Sequence, residues 1–598
     1  MPEGRVRTAS WALWMLLAAF VAATTAAPAA LGAASGYRAR PESDEIIYFL
    51  LPDRFANGDA ANDRGGLQGD RLATGFDPTA KGFFHGGDLK GVLEHLDYIQ
   101  SLGATAIWLA PIFKNQVVQG APGHESAGYH GYWITDFTSV DPHFGTKADL
   151  RALVRAAHAR GIKVYLDIVV NHTADVIRYR ECPDNHCPYR SLADYPPRPG
   201  SYPYTPYVPA GEEHAKGPDW LNDVRYYHNR GESTFEGESA TLGDFSGLDD
   251  VATEDPRVVR GFIDIYGAWI DQLHIDGYRI DTAKHVNPEF WRAFVPAMRA
   301  RAAAHGIAHF HIFGEVATAA MDPALLAEHT RVDKLPAVLD FAFAAAVRDT
   351  VAEQAGTEEL ARLFAADPLY EGGEDAALQL PTFISNHDGG RFAYLVQRGR
   401  PAADAAEVLQ RVRLGYAMLL TLRGVPTIYA GDEQGFVGLG ADQDARQDMF
   451  GSQVASYNDQ PLLGTTATTA SSRFDRTHEL YQFIARLAGV RRSHPALLHG
   501  RQVLRASGPQ AGLFAVSRFE PGTGREILAA FNTSNTRLES QVRVATNSDG
   551  FSALHGSCTL HTTSPGSYRV VLEPLDFVVC EAAPPRPATI ATTRRRGA

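Results

Sequence analysis

KADLRALVRAAHARGIKVYLDIVVNH, residues 147 to 172, decides the fold. Its first half is an amphipathic helix, because Leu150, Leu153, Val154 and Ala157 share one face between Lys147 and Arg160. Its second half, Lys163–Val170, is a short apolar run of strand formers that ends on two polar residues, Asn171 and His172. A helix that feeds a buried strand is the repeat of a parallel α/β sheet.

Working outward, the same alternation gives eight candidate strands: Ile46–Leu51, Thr105–Ala110, Lys163–Val170, Asp276–Asp281, Phe310–Glu315, Ala337–Phe341, Leu380–Ser385 and Thr427–Gly431. Eight βα units predict a closed (β/α)8 TIM barrel. One interval breaks the rhythm. About a hundred residues, rich in Pro, Tyr, Gly and Asp, separate the third strand from the fourth and predict an inserted domain. Beyond about Val490 short alternating strands such as Gly512–Ser517 and Glu526–Phe531 predict an antiparallel β-sandwich. The expected divisions are a leader over 1–34, barrel over 35–170 and 251–490, the insert over 171–250, the sandwich over 491–583, and a tail over 584–598 that reads as disordered.

Residues that end barrel strands point into the mouth at the C-terminal face. Here they are Asn171 and His172, then Arg279 and Asp281, then Glu315, then Asn386, His387 and Asp388. Three carboxylates from three strands therefore converge. Asp281 and Glu315, on successive strands, could supply the nucleophile and acid that glycoside cleavage with retention needs about 5 Å apart. Singly, an Asp–Arg pair is commonly a surface ion pair and Asn-His-Asp a polar turn. Crowded at one mouth, the charges would be costly without a task.

In order, DIVVNH (167–172), GYRID (277–281), FGEV (313–316) and ISNHD (384–388) resemble the conserved regions of the α-amylase family, glycoside hydrolase family 13. YHGYW (129–133), the Lys284–His285 pair and LDDVATEDP from Leu248 extend the resemblance over roughly residues 44 to 580. It implies that Asp281 is the nucleophile, that Glu315 is the acid and base, kept protonated by its enclosed site, and that Asp388 holds hydroxyls of the reacting sugar. It further implies that Arg279 keeps Asp281 ionised, that His172 and His387 bond that sugar while Tyr132 stacks beneath it, and that Lys284 and His285 lie on the leaving-group side.

The same resemblance implies calcium, one ion or two. Asn171, Asp250 and the His285 carbonyl match ligands between barrel and insert, with Asp249 the alternative register for Asp250. Asn57, Asp59, Asn62, Asp63, the Gly86 carbonyl and Asp88 resemble a calcium loop of cyclodextrin glucanotransferases and maltogenic amylases, an oxygen-only shell. The bland reading of that loop is an Asx-rich turn without metal.

A formal charge of −13 disfavours nucleic acid and anionic membranes as partners and suits a neutral polymer, here an α-glucan. Arg5 and Arg7, the apolar run Trp11–Ala23 and the small residues Ala26–Ser35 read as a signal peptide; an uncleaved anchor is the alternative. The expectation is a secreted or periplasmic monomer with no membrane contact after cleavage. Four cysteines agree with export, Cys182 with Cys187 and Cys558 with Cys580 being the natural pairing and a zinc site the lesser reading.

Thr282 after the nucleophile and the Lys284–His285 pair resemble α-1,4-specific members and lead to an α-amylase. Glucanotransferases usually carry further domains after the sandwich, which ranks them lower. The open alternatives are a maltogenic amylase or cyclomaltodextrinase, a glucanotransferase or isomerase, and a catalytically silent glucan-binding protein.

Overall fold

The computed structural model describes residues 36–182, 187–198 and 200–583; the leader and the tail lie outside them. Seven parallel strands form the barrel wall: β1 (Ile47–Leu50), β2 (Ala106–Leu109), β3 (Lys163–Ile168), β4 (Gly277–Ile280), β5 (His311–Gly314), β6 (Pro381–Thr382) and β7 (Val425–Tyr429). They pair in the order β5-β4-β3-β2-β1-β7-β6.

Residues 337–340 close the ring. Gly314 bridges Val338 in parallel, and Asp340 N–H reaches Pro381 O at 2.9 Å, so an eighth stave stands between β5 and β6. The sixth strand expected from sequence is pared to this bridge. Its continuation is taken by a helix, Phe341–Val347, whose first turn is capped by the Asp340 carboxylate on Phe343 N–H.

Outside the wall, α1 (Lys147–Ala159) buries Leu150, Leu153, Val154 and Ala157, and a Thr146–Asp149 capping box starts it. Helix α2 (Pro256–Leu273) begins on an Asp255 cap with proline in its first turn. The two-residue period then decides what faces inward. On β4, Tyr278 points out, its hydroxyl donating to Tyr266 O on α2 at 2.7 Å. Arg279 therefore points in, and Asp281 two residues later points into the mouth. Gly277 is required by crowding, since a Cβ there would lie 2.4 Å from His311 O.

The insert leaves the barrel after β3, and the strands that open and close it pair antiparallel, His172 with Asp250 and Thr173 with Asp249. A Cys182–Cys187 disulfide lies within it.

Helices run past the boundary read from sequence. Helix α3 (Glu479–Ser493) buries Leu480, Phe483, Ile484 and Leu487, a short helix spans Pro495–His499, and the sheet starts only at Arg501. The C-terminal domain has strands β8 (Arg501–Ala506), β9 (Leu513–Phe519), β10 (Glu526–Asn532), β11 (Leu538–Arg543), β12 (Phe551–His555), β13 (Ser567–Leu572) and β14 (Phe577–Ala582). The order β8-β9-β10-β14-β12 makes one antiparallel sheet, and β11 pairs with β13.

Alternation along these strands serves two cores. Phe514, Val516, Ile527, Ala529 and Phe531 join the core that continues into the barrel. Ala515, Leu528, Ala530 and Val578 pack instead on Val542, Tyr568 and Val570 of the second layer. A Cys558–Cys580 disulfide ties β14 to the loop after β12. Among the described residues no helix is long and apolar enough to cross a membrane.

Candidate active site

The C-terminal mouth of the barrel is a cleft of about 550 Å³ lined by Asp281, Glu315 and Asp388 together with Tyr132, His172, Lys284 and His285. One buried guanidinium organises its floor. Arg279 donates to Asp281 Oδ1 at 2.9 Å and to Asp167 Oδ1 at 2.8 Å, and pairs with Glu315 Oε2 at 2.8 Å. Arg279 and Asp167 face each other in register across β4 and β3, so the sheet itself sets this pair.

Three carboxylates around one cation leave the cluster short of positive charge. Burial, with Glu315, Asp167 and Asp388 nearby, pushes the Asp281 carboxyl well above its usual range against the pull of Arg279. Burial likewise pushes Asp167 up to about 6. The carboxyls of Asp281 and Glu315 are thus coupled through one guanidinium that both share.

Glu315 is anchored twice. Beyond Arg279, its Oε2 accepts the backbone N–H of Thr282 at 3.0 Å. Thr282 follows Asp281 directly, so the same turn fixes both carboxyls.

Asp388 is held separately. Arg446 donates to its Oδ1 at 2.9 Å and to His387 O at 3.1 Å. Asp388 stands half-exposed at the mouth, and the cations Arg446 and Arg279 outweigh the desolvation of its carboxyl and hold it below the usual range.

The two histidines are neutral hydrogen-bonding groups rather than cations. Burial pushes His172 and His387 down to about 3 each. His387 Nε2 meets the Tyr132 hydroxyl at 2.7 Å, which fixes the ring beneath the cleft. His172 stacks on Phe245 and leaves Nε2 buried with no hydrogen-bond partner among the described residues, a polar atom available to a hydroxyl in the cleft. Lys284 Nζ donates to Ala317 O at 2.9 Å, and His285 Nδ1 bonds Ala240 O of the insert at 2.7 Å.

Every catalytic and substrate contact expected from sequence lies at this mouth. Three participants went unassigned. Asp167 stands inside the quoted DIVVNH motif, and the alternation that points Arg279 inward could have found it. Trp108 donates to the same carboxylate at 3.0 Å, again from an inward position. Arg446 lies in an irregular loop after β7, and no periodicity marks it.

The residues expected to bind calcium divide. In the N-terminal loop Asp88 accepts from Gly58 N–H, Asp59 N–H and Asn62 Nδ2, and Asn57 Nδ2 donates to Asp63, while the Asp59 carboxylate accepts from Ala61 N–H and faces Lys90. Gly86 completes the cradle: a Cβ there would lie 2.7 Å from both Asn57 Nδ2 and Asp63 Oδ1. Asn62 Oδ1 is buried with no hydrogen-bond partner among the described residues, and burial beside Asp53, Asp88 and Asp59 pushes Asp63 up to about 6. These donors fit a hard cation. Among the described residues no three His, Cys, Asp or Glu side chains cluster as a metal centre, so the fit depends on the amides and the carbonyl.

At the barrel–insert junction Asp250 lies opposite His172, and Val251 N–H donates to Asn171 O at 2.9 Å, so Asn171 and Asp250 are not directly paired. Asp249, the alternative, is committed to Lys216 and to the amides of Val176 and Ile177. One Asp250 oxygen bonds His228 Nδ1 at 2.5 Å, so the chain already supplies a partner there and the fit is poorer.

An eight-stave barrel with three carboxylates at its C-terminal mouth defines the class: a (β/α)8 barrel built for chemistry on a polar, hydroxyl-rich ligand. Residues 49–500 match the family model for the α-amylase catalytic domain. The chain belongs to the α-amylase family. It is 45% identical to an α-amylase of Streptomyces lividans over 86% of this chain, and it spans 58% of that protein's length. A solved α-amylase of Geobacillus thermoleovorans, in complex with acarbose, superposes with a TM-score of 0.67 at 28% identity, covering 91% of this chain and 99% of that one. A cyclomaltodextrin glucanotransferase of three-domain ABC distribution superposes at 0.70 and 26% identity, covering 90% and 99%.

Proposed function

We propose that the chain is a retaining glycoside hydrolase that cleaves α-1,4 bonds of starch, glycogen or maltodextrins. One observation carries the reading: Asp281 and Glu315, ending successive strands, are both held by the Arg279 guanidinium, which keeps two carboxyls side by side for double displacement. Asp281 attacks the anomeric carbon and forms a glycosyl ester as Glu315 gives its proton to the departing glycosidic oxygen. Glu315 then takes a proton from water, which breaks the ester at the same carbon and restores the configuration. Asp388, His172 and His387 hold the sugar's hydroxyls over Tyr132, and Lys284 and His285 border the leaving group.

The N-terminal loop holds calcium through Asn57, Asp59, Asn62, Asp63, Gly86 O and Asp88; bound there, the ion ties the loop together by neutralising its carboxylates. Asn171, Asp250 and His285 O form the second candidate. Two disulfides support action outside the cytoplasm, after removal of the N-terminal leader. The site is complete within one chain, which supports a working monomer.

Incubation with soluble starch and with β-cyclodextrin tests the activity. Reducing ends released from starch by the chain, and not by Asp281→Asn, support an α-amylase. β-Cyclodextrin opened faster than starch moves it to the cyclomaltodextrinases. The likeness to the three-domain transferase favours a second reading, and cyclodextrins formed from starch would establish it. No product from either substrate overturns the proposal.

A further inference from the structure

At the end of the barrel opposite the catalytic mouth, two fully buried arginines lie in the seam with the C-terminal domain. Arg491, from α3, donates to Leu420 O, Leu422 O and Gly424 O. Arg518, from β9, donates to Thr421 O and Gly500 O. Thr421 ends the helix Ala405–Thr421, so both guanidiniums converge on consecutive carbonyls at its C-terminus, just before β7.

Capping that helix uses only part of them. Arg491 Nε and Arg518 Nη2 are buried with no hydrogen-bond partner among the described residues. The same holds for Gln502 Nε2, which stands on β8 directly opposite Arg518 in the sheet register. Gln502 Oε1 accepts Arg423 N–H at 3.0 Å, which fixes the orientation of the amide. All three leftover groups are donors. A water molecule there would bring two hydrogens of its own that need acceptors, whereas an anion brings none.

Charge is unbalanced in the same place. Arg423 is matched by Asp340 and Asp367. Among the described residues Arg491 and Arg518 have no carboxylate at ion-pair distance, and Asp44, whose charge reaches Arg491, is engaged by His499 at 3.0 Å. Burial, then repulsion from Arg491 and Arg423, pushes the Arg518 guanidinium well below its usual range. A guanidinium does not give up its proton in a protein, so the pair needs a counter-charge. A cavity of about 200 Å³ lined by Gln502, Arg423 and Val516 leads to the seam, and Val516 shares the face of β9 that carries Arg518. Asp367, Glu374 and Asp375 line that cavity too and disfavour large or multivalent anions.

We propose that Arg491, Arg518 and Gln502 form a binding site for one small monovalent anion of the halide class, which ties the C-terminal domain to the barrel.

The full chain crystallised from bromide and measured at the bromine edge shows a peak bonded to Arg491 Nε, Arg518 Nη2 and Gln502 Nε2. In solution, replacing gluconate by bromide at fixed ionic strength and fixed calcium raises Tm by about 2 °C once the site is filled. Gln502→Glu keeps the acceptor for Arg423 N–H and supplies the negative charge from the chain itself. Its Tm in gluconate therefore rises toward the wild-type value in bromide and no longer responds to the halide. The absence of a peak at the three donors overturns the site. A peak with a wild-type Tm indifferent to bromide, or with an equal response in both chains, marks an adventitious ion only and overturns it as well.

Discussion

Thr282 gives its backbone N–H to Glu315 Oε2 at 3.0 Å, and it does so from a left-handed conformation at φ 46°. A β-branched residue there is an outlier, costing on the order of 1–3 kcal/mol. The turn lets one residue carry the chain from Asp281 while its amide holds the neighbouring carboxyl.

If the amide and not the side chain matters, Thr282→Gly keeps kcat/KM within about threefold. Its stability changes by less than about 1 kcal/mol, because relieved strain offsets glycine's added entropy. Steady-state kinetics and urea denaturation check both. A loss of a hundredfold would assign the work to the Thr282 side chain instead.

Arg446 joins Asp388, the His387 carbonyl and the Tyr129 hydroxyl. Arg446→Ala removes a cation that holds the Asp388 carboxyl low, so the Asp388 titration moves up. We expect kcat/KM to fall about 10- to 100-fold at neutral pH, with the acidic limb of the pH–rate profile displaced toward higher pH. An unmoved acidic limb would separate Arg446 from Asp388.

How far the sequence reached is visible in these residues. The positions of Asp281 and Glu315 are legible because strand ends and a two-residue period place them at the mouth. Thr282's backbone angle and Arg446's partners were not legible. Both depend on how distant loops meet over the mouth, and loops have no period. The sixth stave was read as a full strand because Ala337–Phe341 is apolar; Asp340 turns it into a helix cap. The start of the C-terminal sheet was read too early because α3 and the short helix after it are no more apolar than the strands that follow.

His311 lies fully inside the barrel, and burial pushes its imidazole down to about 4. A histidine whose folded pKa lies below its unfolded value contributes full stability above about pH 6.5, lost as pH falls toward 4. A shift of that size corresponds to about 3 kcal/mol. In His311→Gln the decline of unfolding free energy between pH 6.5 and 4 becomes shallower by about one proton, read from denaturant titrations at several pH values. An unchanged slope would place the acid sensitivity elsewhere.

Calcium bound at the proposed N-terminal loop site would stabilise the fold by mass action, about 2.7 kcal/mol at a hundred times its Kd. In a chain of this size that is a Tm rise of about 2–4 °C. EGTA should therefore lower Tm in the wild type and have a smaller effect in Asp59→Ala/Asp63→Ala. An equal shift in the double variant would move the ion to Asn171 and Asp250.

Double displacement by Asp281 and Glu315 is tested most directly by the configuration of the first product. Maltohexaose digested in the NMR tube by the wild-type chain should release new reducing ends as the α-anomer before mutarotation, with none from Glu315→Gln. Release as the β-anomer, or release undiminished in Glu315→Gln, would contradict it.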